Sequence, residues 1–306
     1  MLNYVLKRIL GSIVTLFIII AASFFTIRLA PGSPFTSEKG IPREVLVNLQ
    51  AKYGFDKPLV QQFANYMKNM IFHADLGYST KYTGRTVNEI IGITLPASLQ
   101  LSFVAITWAL LVGVLAGVIA AIRQNTAWDY SAMAMAMVGI SVPAFVMAPV
   151  LMLFFALWLN WLPAGGWGTW QHLVLPGITL GTVYAAYIAR LTRAGMLEVV
   201  RSDFIRTAKA KGLRESYIIW KHAMKGGLIP TITFLGPAIA QMMTGSVVVE
   251  KIFNTPGIGP YFVDAAVNRD YFLVMGIVVV YSTFLLLMNV VVDVMYGILD
   301  PRIRYE

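Results

Sequence analysis

Six long apolar stretches, at 9–30, 98–121, 131–159, 173–190, 228–249 and 272–299, limit what this chain can fold into. A helix needs roughly 20 apolar residues to cross a hydrocarbon layer about 30 Å thick. Lipid offers the backbone no hydrogen-bond partners, so each stretch must satisfy its own N–H and C=O groups as a helix. The expected fold is an all-α membrane protein with six transmembrane helices. Composition agrees: 58% of the residues are hydrophobic and 13% charged, against about 45–50% and about 25% in soluble domains.

The net charge of +9 does not call for nucleic acid, because the basic residues sit between apolar spans, where membrane orientation accounts for them. There is no cysteine, and His73, His172 and His222 are far apart. Neither HExxH nor GxxxxGK[ST] occurs. No catalytic residue, metal site or resident cofactor is therefore expected on this chain.

The first span follows Lys7 and Arg8 and ends before Arg28 and Pro31, without a small-residue cleavage site, and is read as a retained signal anchor. Gly113 and Gly117 in the second span have the GxxxG spacing that lets helix backbones approach. The third span holds Pro143 and Pro149 and must bend. A bent helix can line a pathway, which makes Pro143 a pathway candidate. Near the inner end of the last span, Asn289 and Asp293 share a helix face. Asp293 is read either as tied to a neighbouring basic residue or helix end, or as a substrate contact.

Lys and Arg in short loops mark the cytoplasmic side. The 190–227 connection carries nine basic residues, 122–130 carries Arg123 and the C-terminal tail carries Arg302 and Arg304. Both termini and the 190–227 loop are thus expected in the cytoplasm. The 31–97 connection is expected outside as a partly helical cap, with Val60, Phe63, Tyr66, Met67 and Met70 at helical spacing. The chain divides into 1–97, a transmembrane helix plus cap, and 98–306, a core of five transmembrane helices.

Residues 204–213, FIRTAKAKGL, concentrate charge in an apolar chain. Leu197, Val200, Phe204 and Ala208 recur at helical spacing, Gly212 breaks the pattern, and Leu213, Tyr217 and Trp220 follow. The segment reads as helix, glycine turn, helix. It is either a topology signal at the inner lipid surface or a helix that docks into a partner's groove. Small Thr207, Ala208 and Gly212 favour docking, because they leave room for close approach.

Arg206-Thr207-Ala208, three residues and Gly212 resemble the coupling motif of importer-type ATP-binding-cassette permeases, in which the short consensus reads EAA, three residues, Gly. Arginine replaces glutamate here, and Pro230 lies farther from the glycine than in that consensus. RLAPGSPF, AKYGFDKPLVQQF, DLGYS, VVVEKIFNTPGIG and VDVMYGILDPRIRY extend the similarity over essentially the whole chain. In order and spacing they resemble the B-type membrane subunit of bacterial oligopeptide permeases, within the peptide/nickel permease family.

The resemblance implies a type I importer core in the bacterial inner membrane. It implies a second homologous permease subunit, two cytoplasmic ATPase subunits that hold ATP and Mg, an extracytoplasmic peptide-binding protein, and peptide as cargo. Phe204, Arg206, Thr207, Ala208, Lys209, Gly212 and Leu213 would couple to an ATPase. Glu250, Phe253, Pro256, Gly257 and Gly259 would either form a turn that closes the bundle or meet the binding protein at the outer mouth. Dipeptides, glutathione or nickel chelates are alternative cargo. A proton-coupled secondary transporter would need an acidic relay, for which Asp293 alone is a poor basis.

Overall fold

The computed structural model describes residues 2–32, 34–35, 43–245 and 247–299. Arg302 and Arg304 of the basic tail lie outside them. The elements in order are α1 (Leu2–Leu29), α2 (Arg43–Lys52), α3 (Leu59–His73), α4 (Val87–Ile122), α5 (Ala127–Ser141) and α6 (Ala144–Leu151). A π-helical turn (Met152–Trp158) precedes α7 (Gln171–Val200) and α8 (Asp203–Ala210). Then α9 (Glu215–Tyr217) passes through a second π segment (Ile218–Ala223) into α10 (Met224–Gly227). The chain ends with α11 (Ile229–Gly245), α12 (Val247–Ile252), α13 (Ile258–Val267) and α14 (Tyr271–Leu299).

Five helical stretches are long and apolar enough to cross a membrane, and the α5–α6 pair makes six when counted as one bent span. The two halves of that pair meet at 107°. Proline explains the position of the break. Val142 is extended (φ −92°, ψ 114°) because Pro143 disfavours helix in the residue before it. Pro143 then caps α6, while Pro149 is accommodated inside it.

The bundle is organised by α4 and α7. Small residues recur every fourth position on each: Ala105, Ala109, Gly113 and Gly117 on α4, and Gly177, Gly181, Ala185 and Ala189 on α7. A Cβ at Gly113 would lie 2.6 Å from the Ala185 carbonyl oxygen, and one at Gly117 would lie 2.6 Å from that of Ala189. Reciprocally, a Cβ at Gly181 would collide with the Ala105 carbonyl. The pairings advance together along both sequences, so α4 and α7 run parallel. A parallel neighbour requires the chain to return between them, and α5–α6 make that return.

Two opposite ends follow from this arrangement. At one, α4 starts with a capping box in which Thr86 and Glu89 satisfy each other's backbone N–H groups. The cap lies here. Tyr66 is buried with Ile20 and Phe24 of α1 and Met275 of α14, with Phe63, Met67 and Met70 packed beside them. Val60, predicted on that apolar face, is instead 72% exposed. The segment before α4 is bolted to α13 and to the loop before α14, with Lys81 paired to Asp264 of α13 and Ser79 donating to Asp270 of the loop.

At the far end, about 50 Å away along a 36-residue helix, lies α8. The start of α1 and the end of α14 share this end, held by the Arg8–Asp293 ion pair at 2.9 Å. α11 returns antiparallel to α14, with Gly236 against Met288, Asn289 and Val292. Helix limits differ from the sequence expectation at two places. α4 begins at Val87, so the 97/98 boundary falls inside it, and α7 continues to Val200, ten residues past the end of the apolar stretch at 190.

Glycines of one helix should therefore separate in effect. Gly117→Ala pushes a methyl into backbone and should cost about 1–3 kcal/mol. Gly92→Ala, also in α4 but with nothing within 4 Å of its Cβ position, should be stabilising by about 0.4–1 kcal/mol. Thermal denaturation of the purified protein measures both.

Candidate functional site

α8 lies across the ends of the bundle helices. Ile205 and Ala208, 1% and 8% exposed, pack with Val118 and Ala121 of α4, Met196 of α7, and Ile218 and Ala223 of the following segment. The helix is short and its two sides differ sharply. Asp203, Phe204, Arg206, Thr207, Lys209 and Ala210 all face away from the bundle. Arg206 pairs with Asp203 at 3.3 Å, and the Thr207 hydroxyl donates to the Asp203 carbonyl at 3.0 Å.

This corrects the expected register. Leu197, Val200, Phe204 and Ala208 read as one face only if one helix runs through them. The chain breaks at Arg201 and Ser202, with Ser202 extended as the N-cap of α8. The break rotates the face, so Ile205 enters the core and Phe204 is left 53% exposed. Ala208 is small because α8 presses on its own bundle there. It offers no room to an outside partner.

Gly212 serves conformation. Its φ is +73° and a Cβ there would meet nothing within 4 Å. Gly212 N–H donates to Lys209 O at 2.9 Å and Leu213 N–H to Ala208 O at 3.4 Å. These two bonds form a Schellman ending, in which glycine takes the left-handed position at least cost. Lys211 before it and Leu213, Tyr217 and Trp220 beyond it are exposed. The segment thus presents both cations and aromatic or apolar side chains outward.

The platform under α8 is held by a group that hydropathy did not point to. Asp129 of α5 is 2% exposed and accepts two bonds from Arg193 of α7, from Nε and Nη2, both at 2.7 Å. The Asn125 N–H adds a third at 3.0 Å. Arg201 reaches Gln124 at 2.9 Å, and buried Thr192 and Thr231 share a hydrogen bond of 2.9 Å. The turn between α4 and α5 is thereby fastened to the end of α7, next to α8.

At the cap end the structure sorts the five residues of EKIFNTPGIG. Glu250 is fully buried and accepts from Ser98 Oγ at 2.7 Å and Gly259 N–H at 3.0 Å. Ser98 Oγ in turn accepts from Ile258 N–H at 2.9 Å. Side chains at Gly257 and Gly259 would occupy the place of the Glu250 carboxylate. Phe253 is fully buried and its carbonyl accepts from Gly166 N–H at 2.8 Å. Only Pro256 of the five is exposed. The segment is a closing turn tied to α4 through Ser98.

Of the pathway candidates, Pro143 is exposed at the α5–α6 break and Asn289 lies against Gly236 of α11. Asp293 is engaged by Arg8 through Nε and Nη2. Asn289 and Asp293, one turn apart on α14, thus meet different helices, α11 and α1. In α13 at the cap end, burial pushes the Asp264 carboxyl up. Hydrogen bonds from Lys81 and Tyr82 and the charges of Lys81 and Lys251 outweigh that and hold it below the usual carboxylate range.

Removing one partner of the buried pair leaves the other uncompensated, at about 3–5 kcal/mol. Asp129→Ala should approach the lower figure, because Arg193 retains some solvent. Arg193→Met combined with Asp129→Ala should lose less than the sum of the single changes, as measured by thermal denaturation.

Known proteins can now be set beside this geometry. Residues 113–305 match the family described as "Binding-protein-dependent transport system inner membrane component", and residues 1–102 match its N-terminal membrane component. The oligopeptide transport system permease protein OppB of Haemophilus influenzae is 49% identical, over 100% of both chains. The dipeptide transport system permease protein DppB of Bacillus subtilis is 44% identical, over 99% of this chain and 98% of its own. A structure of the MetNI methionine ABC transporter, described as inward facing, shares the fold with a TM-score of 0.56 at 16% identity, covering 69% of this chain and 97% of that one. The chain belongs to the family of inner membrane components of binding-protein-dependent transport systems.

Proposed function

We propose that this chain is the permease subunit of an ATP-driven importer of oligopeptides. In this reading it works with a second, homologous permease subunit, two ATPase subunits that hold ATP and Mg, and a peptide-binding protein. The observation that carries it is the two-sided seating of α8. Ile205 and Ala208 fix the helix to α4, α7 and the 218–224 segment, while Phe204, Arg206, Thr207 and Lys209 remain outside. A partner that grips the outer side moves the ends of the bundle helices through the inner side.

The α8 end is the cytoplasmic one in this account, because nine of the 24 basic residues lie in 190–225. Both helix termini α1 and α14 then face the cytoplasm, and the cap and EKIFNTPGIG face outward. Cargo as varied as peptides suits a bundle with few intramembrane charges. The oligopeptide and dipeptide permeases among the relatives support peptide cargo, and the higher identity to the former favours the longer peptides.

The experiment is peptide uptake into proteoliposomes that contain the full complex. Uptake should require ATP and the ATPase subunits. Thr207→Arg and Phe204→Asp should lower uptake at least about tenfold, equivalent to about 1.4 kcal/mol in partner contact, while the permease remains folded. Ala208→Glu should instead destabilise the permease itself. Uptake driven by a proton gradient without ATP would overturn the reading.

A further inference from the structure

A polar cavity of about 230 Å³ lies between the cap and the outer end of α1, on the side of the molecule away from α8. Its walls include Arg28, Lys52, Lys57, Tyr66 and Asp75. We propose that it binds a phosphate group, with Arg28 as the central cation.

Arg28 is half-buried in the last turn of the α1 span. Its guanidinium lies 4.5 to 5.6 Å from the ring centres of Phe24, Phe55, Tyr271 and Phe272 and donates to Gln62 Oε1. Ring faces and a neutral amide solvate a cation without neutralising it. Among the described residues no carboxylate lies within ion-pair distance of Arg28. The single acid on the wall, Asp75, already accepts from Gly77 N–H at 2.8 Å. The wall thus draws on three cationic residues and one engaged carboxylate.

A second observation is independent of charge. Tyr66 is 5% exposed, and its hydroxyl has no hydrogen-bond partner among the described residues. A buried hydroxyl left unpaired is costly, so a native structure normally supplies a partner. The hydroxyl is sealed as it stands, but Tyr66 is a wall residue of the cavity, and a movement of its ring would bring the hydroxyl to an acceptor there. Arg28 comes from α1, Lys52 from α2, Lys57 from the connection after it and Tyr66 from α3, and groups on several elements favour a ligand with several oxygens over a two-oxygen carboxylate. The volume equals roughly eight waters of liquid, sufficient for a phosphate group.

The setting names two sources. α1 faces away from the bundle along Leu10, Ile13, Val14, Phe17 and Ile18, all exposed. A cation in the last turn of such a helix lies at headgroup depth. The phosphate thus comes from a phospholipid headgroup or from free phosphate.

The test uses the full-length protein with its accompanying subunits in phosphatidylcholine nanodiscs, where that headgroup already carries a neutralising choline. Thermal stability is followed while short-chain phosphatidylglycerol or inorganic phosphate is added against a chloride control. A saturable rise with phosphatidylglycerol alone supports the proposal with a lipid source, and a rise with inorganic phosphate supports it with a free one. No rise above chloride with either overturns it. Lys52→Gln with Lys57→Gln changes only exposed side chains, so folding should persist. It should raise the half-saturating concentration about tenfold, and an unchanged value would also overturn the proposal.

Discussion

Close backbone contact between α4 and α7 is the constraint on which the rest of the structure depends. Helices in lipid gain little from hydrophobic association and rely on van der Waals packing, which small residues permit. Gly113 and Gly117 meet Ala185 and Ala189, and Gly181 meets Ala105, so the two backbones touch over most of their shared length. Because the pair is parallel, the intervening chain must cross back. That return has to fit beside a contact already made, and the break at Pro143 lets α5 and α6 take different directions.

The same pair creates the platform for α8. The ends of α4 and α7 contribute Val118, Ala121 and Met196 to the surface on which Ile205 and Ala208 sit. Asp129 and Arg193 stop α5 from drifting away from that platform. A displacement of α8 is therefore delivered to three helices at once. At the opposite end, Glu250 and Ser98 tie the α12–α13 turn to α4, so the helix on which α8 sits also reaches that turn.

Much of this was legible in the sequence. Apolar runs gave the helices, GxxxG gave a close contact, and Pro143 gave the bend, since each depends on local chain chemistry. The glycine turn at Gly212 was legible for the same reason. Other features were not, for physical reasons. Hydropathy cannot register the break at Arg201 and Ser202, so Phe204 was read on one face with Ala208, and the entry of Ile205 into the core was missed. Arg190 and Arg193 made the end of α7 look like loop, because the acid that receives Arg193 is on α5. Glu250 and Phe253 were left between a turn that closes the bundle and the outer mouth, because their burial depends on Ser98 and Gly166, which are remote in the chain.

The central claim is that α8 has an inner side that belongs to the bundle and an outer side that belongs to a partner. The chain contains no cysteine, so single cysteines report their positions without background. A membrane-impermeant maleimide should label Thr207→Cys readily in membranes stripped of ATPase subunits, and adding those subunits should block it. Ala208→Cys should label poorly in both cases. Equal labelling at the two positions, or labelling of Thr207→Cys that the ATPase subunits leave unchanged, would contradict the account.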